Sequence, residues 1–210
     1  MDNKTDIIFI IDDDLSIRKS ISLFLKAADY NVESYPGSEE YLAKEPYDGT
    51  GCIILDINLE GKNGLELQEE LVSQASHLPV IFITGYGNVS MSVQALKKGA
   101  VNFLEKPFKE EELLQSVSEA LALSRKLKAE KEESKTARIL IDTLTPREKE
   151  ILKYFLSGML NKQIAHKLNI AEHTVKLHRH SISAKLRVKS VPEILRIADK
   201  AGIIPSENKH

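Results

Sequence analysis

Cysteine is almost absent from this 210-residue chain. Cys52 stands alone, so no internal disulfide is available, and His178 and His180 lack the thiol partners of a zinc site. Inside an apolar run, that thiol reads as a small buried hydrophobe. No stretch approaches the roughly 18 consecutive apolar residues of a membrane-spanning helix. The opening, Met1-Asp2-Asn3-Lys4-Thr5-Asp6, has neither the basic start nor the apolar centre of a signal peptide. A cytoplasmic location without membrane contact is the expectation. No Gly-x-Gly-x-x-Gly or Walker pattern follows the first apolar run, which argues against nucleotide binding. There is no internal repeat.

The length allows one or two domains, each with a real core. The net charge of −2 hides an asymmetry. Residues 1–123 carry 10 Lys and Arg against 21 Asp and Glu, a net −11. Residues 124–142 carry 6 against 4, and residues 143–210 carry 13 against 6, a net +7, with five of the six histidines. An acidic half joined to a basic half suggests two jobs. The basic half is either a solvated surface or a footprint for phosphates.

Short apolar runs dominate the acidic half. Asp6-Ile7-Ile8-Phe9-Ile10-Ile11, Val32-Glu33-Ser34-Tyr35, Cys52-Ile53-Ile54-Leu55, Pro79-Val80-Ile81-Phe82-Ile83-Thr84 and Val101-Asn102-Phe103-Leu104 read as strands. Between them lie helical patterns around Ile17 to Leu25, from Ser38, from Gly64, at Val89, Val93 and Leu96 after a loop at Gly85-Tyr86-Gly87-Asn88, and from Glu110 to about Leu123. This alternation predicts an α/β doubly wound fold, a five-stranded parallel sheet of order 2-1-3-4-5. Residues 124–142 read as a charged linker, either solvated coil or a helical extension. Residues 143–210 read as a small all-α domain. Thr145-Pro146-Arg147-Glu148 is a capped helix start, Gly158 a stop, Asn169-Ile170-Ala171 a tight turn, and Ser190-Val191-Pro192-Glu193 a fourth start. Four short helices with that turn between the second and third match a helix-turn-helix.

In such a sheet, ligands bind beyond the carboxyl ends of the strands, between the first and third. Those strands end in Asp12-Asp13 and Asp56. Three carboxylates there repel one another unless a cation intervenes, and Mg²⁺ suits an oxygen-only set. An aspartate beside Mg²⁺ is a nucleophile for a phosphoryl group. Asp14 suits a helix cap. Thr84 and Lys106 end the fourth and fifth strands on the same edge, and their hydroxyl and ammonium suit phosphoryl oxygens.

Residues 6–123 resemble the receiver domain of two-component response regulators, on Ile11-Asp12-Asp13-Asp14, Leu55-Asp56, Ile83-Thr84-Gly85 and Glu105-Lys106-Pro107-Phe108. The resemblance implies that Asp56 takes phosphate from a sensor histidine kinase. It implies Mg²⁺ on Asp12, Asp13, Asp56 and the Asn58 carbonyl, phosphoryl contacts from Thr84 and Lys106, a cis Lys106-Pro107 bond, and Phe103 as the switch aromatic. One departure is Leu59-Glu60, where the family usually carries Met-Pro. Residues 143–205 resemble the LuxR-type helix-turn-helix, on Leu144-Thr145-Pro146-Arg147-Glu148, Asn161-Lys162-Gln163-Ile164-Ala165 and Thr174-Val175-Lys176-Leu177-His178-Arg179. Together the halves look most like the FixJ branch of the NarL/FixJ regulators.

On the third helix, Val175, His178, Ile182 and Leu186 share the inward face, so Lys176, Leu177 and His180 point outward and suit base edges in the major groove. Asn161, Lys162, Thr174, Arg179 and Lys185 suit phosphates. Val191, Ile194, Leu195 and Ala198 form an apolar stripe, either simple core or, by the resemblance, a dimer contact matched to inverted-repeat promoter half-sites. A DNA-binding transcriptional response regulator that dimerises on phosphorylation is the expectation, with RNA polymerase a further partner. It is not a multiple-turnover enzyme: a phosphatase with an aspartyl nucleophile commonly has a second Asp two residues on, and here that place is Asn58. A phosphorylation-independent DNA-binding protein with a vestigial receiver is opposed by the complete acidic pocket.

Overall fold

The computed structural model describes residues 6–61, 63–74, 76–85 and 99–203. The chain divides into two compact units, Met1–Ala129 and Glu130–His210.

The first unit is built on strands β1 (Ile7–Ile11), β2 (Asn31–Tyr35), β3 (Gly51–Asp56), β4 (Val80–Thr84) and β5 (Asn102–Glu105). All pairings are parallel, in the order β2-β1-β3-β4-β5, as the strand pattern predicts. Alternate side chains of each strand leave on opposite faces, and both faces are covered. Phe9, Ile11, Ile53, Leu55 and Phe82 join one core, with Leu67 and Leu71 of helix α3 (Gly64–Ser73) and Tyr41 of α2 (Ser38–Leu42). Ile8, Ile10, Cys52, Ile54, Ile81 and Ile83 join the other, with Ile21 and Leu25 of α1 (Leu15–Ala27). Full burial of Cys52 pushes its thiol pKa up, as expected of an inert hydrophobe. The helix expected from Val89, Val93 and Leu96, and the loop at Tyr86-Gly87-Asn88, lie outside the described residues.

The helix that begins at Glu110 does not stop near Leu123. It continues to Asp142 as α4 (Glu110–Asp142), so residues 124–142 are helix. Its sequence contains no Gly or Pro and is rich in Ala, Leu, Glu, Lys and Arg, all good helix formers. Its apolar pattern fades in the middle because that part faces solvent. Within the first unit, Ser124 Oγ accepts from the Gly51 N–H at 3.0 Å, Arg125 pairs with buried Asp6, and Lys128 lies 3.0 Å from Asp48. Gly51 is required there, since a Cβ would stand 2.1 Å from the Ile7 carbonyl oxygen of the neighbouring strand. Further on, Ala137 and Ile141 are buried in the core of the second unit.

That second unit contains α5 (Pro146–Leu156), α6 (Asn161–Leu168), α7 (Glu172–Lys185) and α8 (Val191–Lys200). The capping box opening α5 is complete: Thr145 Oγ1 accepts from the Glu148 N–H at 3.3 Å, and Glu148 Oε2 accepts from the Thr145 N–H at 2.7 Å. Asn169, at φ 51°, ends α6 in the left-handed region and makes the tight turn into α7. Ser190 departs from its expected role: its side chain makes no cap bond to α8, and Glu193 accepts instead from the Lys189 N–H at 2.9 Å. The stripe on α8 also needs correction. Ile194 joins the core of the second unit at 5 % exposure and Ala198 is buried at 0 %, so neither is free to face a second subunit. Only Val191 and Leu195 remain exposed.

Glu148 does more than complete a cap. It is buried, yet it also accepts from Ser181 Oγ and Lys185 Nζ, each at 2.6 Å, and so joins α5 to α7. Burial alone would push its carboxyl up, but the bonds from Lys185, Ser181 and Thr145 outweigh that and lower it from 4.5 to about 2. A carboxyl held below its unfolded value stabilises the fold above the unfolded pKa and loses that contribution as pH falls through the folded one. The thermal midpoint of Glu148→Gln is therefore expected to lie well below wild type at neutral pH, by on the order of 3 kcal/mol in stability. Melting curves followed by circular dichroism should show the gap closing as pH falls from 4.5 towards about 2.

Candidate functional site

Strand pairing brings the acidic residues together. Ile11 of β1 lies opposite Leu55 of β3, so Asp12 and Asp56 leave neighbouring strand ends side by side. With Asp13 they offer oxygens that all lie within 4.8 Å of one another. Asp12 and Asp56 are buried, at 0 % and 6 % exposure, and Asp13 is more open. Lys106, just past β5, reaches both buried carboxylates: its Nζ is 2.7 Å from Asp12 Oδ2 and 2.8 Å from Asp56 Oδ2. The Lys106-Pro107 bond is cis.

The pair's titration follows from this enclosure. Burial pushes the Asp12 carboxyl up, against the opposing pull of the Lys106 ammonium and the Asp14 N–H. The same burial would push Lys106 down, but its bonds to Asp12 and Asp56 reverse the direction and raise it. One ammonium among three carboxylates leaves the notch electron-rich, and every donor is an oxygen. That set fits a hard divalent cation such as Mg²⁺.

Neighbouring groups hold the notch in shape. Asp14 caps α1, accepting from the N–H groups of Ser16 at 2.7 Å and Ile17 at 3.2 Å, while its own N–H donates to Asp12 Oδ1 at 2.8 Å. Arg18 donates to the Asp12 carbonyl, a contact the sequence did not single out. Thr84 is fully buried, and its Oγ1 accepts from Asn58 Nδ2 at 3.3 Å. The Asn58 N–H lies 3.2 Å from Asp56 Oδ1. Phe103 is partly buried and pairs with Phe82 in the sheet register. At the departure from the family pattern that follows Asp56, Leu59 is buried and Glu60 exposed. Gly64 opens α3 against the strand end: its N–H donates to the Ile57 carbonyl at 3.0 Å, and a Cβ would stand 2.3 Å from the Asp56 carbonyl oxygen. Gly64→Ala is therefore expected to destabilise the first unit by about 2 kcal/mol or more, a steric effect visible as a lower urea midpoint.

The second unit presents a different surface. Lys176, Leu177 and His180 are exposed along one side of α7, with Leu177 57 % accessible. His173, one turn earlier on the same side, is exposed too; its i, i+3, i+4 and i+7 spacing with the other three was available in the sequence. Lys176 Nζ lies 3.1 Å from Glu172 Oε1, an exposed pair that water and salt loosen. Lys162 is exposed and Thr174 half-buried. Three other candidates are engaged inside the unit. Lys185 is bound to Glu148, and Arg179 Nη1 donates to Asn161 Oδ1 at 2.6 Å. His178 is half-buried.

The comparisons with known proteins agree with both halves. Residues 8–118 match the family described as "Response regulator receiver domain", and residues 142–198 match "Bacterial regulatory proteins, luxR family". Nodulation protein W of Bradyrhizobium diazoefficiens is 38 % identical over 197 residues, covering 94 % of this chain and 87 % of that protein. Transcriptional regulatory protein FixJ of Rhizobium meliloti is 33 % identical over 199 residues, covering 95 % of this chain and 98 % of that protein. Among solved structures, the response regulator StyR superposes with a TM-score of 0.78 at 37 % identity, covering 93 % of this chain and 99 % of that one. The chain thus belongs to the NarL/FixJ family of two-component response regulators: DNA-binding transcriptional regulators with a receiver domain followed by a LuxR-type helix-turn-helix.

Proposed function

We propose that Asp56 is the phosphoacceptor of this regulator, in a receiver of residues 1–123, and that its phosphorylation by a sensor histidine kinase promotes dimerisation and promoter binding by residues 143–210. The supporting observation is the buried Asp56 carboxylate at a strand end, 2.8 Å from Lys106 Nζ and within a cluster of three carboxylates. An Asp56 oxygen attacks the phosphorus of the kinase's phosphohistidine. The P–O bond forms as the P–N bond breaks, and the imidazole leaves with the nitrogen electron pair. Lys106 shifts from the carboxylates to the arriving phosphoryl oxygens, and the Thr84 hydroxyl donates to one of them. Asp12, Asp13, Asp56 and the Asn58 carbonyl are the residues that would hold Mg²⁺. Bound there, Mg²⁺ supplies neutralisation of the charge gathered at the acceptor. Phe103 responds to the movement of Thr84 as the switch aromatic. The acyl phosphate is lost slowly by self-hydrolysis, so the protein is a switch in the cytoplasm and not a turnover enzyme.

In the second half, Lys176, Leu177 and His180 read base edges, and Lys162 and Thr174 contact phosphates. Val191 and Leu195 supply the exposed part of a dimer contact suited to inverted-repeat half-sites. RNA polymerase is a further partner at the promoter.

Incubation with acetyl phosphate and Mg²⁺ is expected to add one phosphoryl group, which peptide mass spectrometry should map to Asp56. No adduct, or one on another residue, overturns the assignment. Asp56→Asn should stay unlabelled, and Asp12→Asn should be labelled far more slowly. Light scattering on the phosphorylated protein should show the mass of a dimer. Leu195→Asp should weaken binding to two-half-site DNA at least about tenfold through lost avidity, with little effect on a single half-site.

A further inference from the structure

Arg179 occupies an unusual position for a cation in a DNA-binding helix. It lies near the middle of α7, half-buried, with its guanidinium carbon 4.0 Å from the centre of the Phe155 ring. Its Nη1 donates to Asn161 Oδ1 at 2.6 Å. Phe155 belongs to the end of α5, and Asn161 is the first residue of α6. Among the described residues no carboxylate pairs with it. The planar guanidinium is suited to this place because it stacks through its face while donating through its edge, which an ammonium cannot do.

We infer that Arg179 is a positioning residue of the recognition helix, and not one of its phosphate contacts: stacked on Phe155 and bonded to Asn161, it fixes the roll of α7 against α5 and α6. This rests on the reading that α7 presents Lys176, Leu177 and His180 to base edges. Those three side chains share one side of a single helix, so a small roll displaces all of them from the groove floor together. The Arg179 contact prevents that roll near the helix centre, and Glu148 does so further along, through Ser181 and Lys185. Lys162 lies on α6 and keeps its place when α7 rolls. Loss of Arg179 therefore removes sequence discrimination while sparing contacts that depend on charge alone.

The test uses the full chain, phosphorylated with acetyl phosphate and Mg²⁺, and two duplexes, one of arbitrary sequence and one recovered by the phosphorylated wild type from a random-sequence pool. Arg179→Lys and Arg179→Gln are expected to bind the recovered duplex roughly tenfold or more weakly, the scale of a lost base contact. On the arbitrary duplex their affinity and salt slope should match wild type. Lys162→Gln is the control, and its salt slope should fall by about 0.9, the value of one phosphate contact. Phe155→Leu removes the stacking face without touching a charge, and should reproduce the loss on the recovered duplex at unchanged slope. The inference is overturned if Arg179→Gln lowers the slope as Lys162→Gln does, or if Arg179→Lys restores wild-type discrimination. A fall of both affinities by the same factor, the mark of simple unfolding, also overturns it. If the wild type itself shows no salt-dependent binding to either duplex, the underlying reading of α7 fails instead.

Discussion

Like charges gathered at the end of a parallel sheet are the constraint that shapes the first unit. Asp12 and Asp56 leave adjacent strands at matched register, so the β1–β3 pairing brings their carboxylates together. Lys106 answers part of that repulsion from the far side of the sheet, at 2.7 and 2.8 Å. Much of the surrounding geometry serves the same end. Asp14 closes the turn after β1, the Asn58 amide bridges towards Thr84, and Gly64 lets α3 start against the backbone of Asp56.

The same economy of charge appears in the second unit with the opposite sign. Its surface is rich in Lys and Arg, but a carboxylate at its centre organises the helices. Glu148 caps α5 and reaches α7 in one side chain, so the two helices are fixed by the same group. Removing one partner would leave a charge buried and unanswered, which is why such a contact resists conservative replacement.

How much of this the sequence revealed depended on whether a signal was local. Strand positions were legible to within about a residue, because runs such as Phe9-Ile10-Ile11 and Ile53-Ile54-Leu55 are too apolar and too short for anything but a doubly buried strand. The meeting of Asp12 with Asp56 followed from topology, since parallel order alone places their strand ends together. The continuity of α4 is not legible in the pattern: a helix whose middle faces water shows no apolar stripe. The stripe on α8 was seen, but periodicity reports only that a face is covered, not by what. Ile194 proves to be covered by the core of its own unit. The partners of Lys185 and Asn161 are illegible for a related reason, since a polar side chain on a helix surface reads the same whether it meets a phosphate or, as here, Glu148 for Lys185 and Arg179 for Asn161.

Lys185 carries a wider meaning for a protein that must find one address among very many. Each free cation is a handle by which any stretch of polyanion can hold the searching molecule. A lysine turned inward onto Glu148 strengthens the architecture without lengthening the stay on irrelevant sequence. The unit is thereby less sticky than its residue count implies, and more of its residence must be won where the grooves carry the right message.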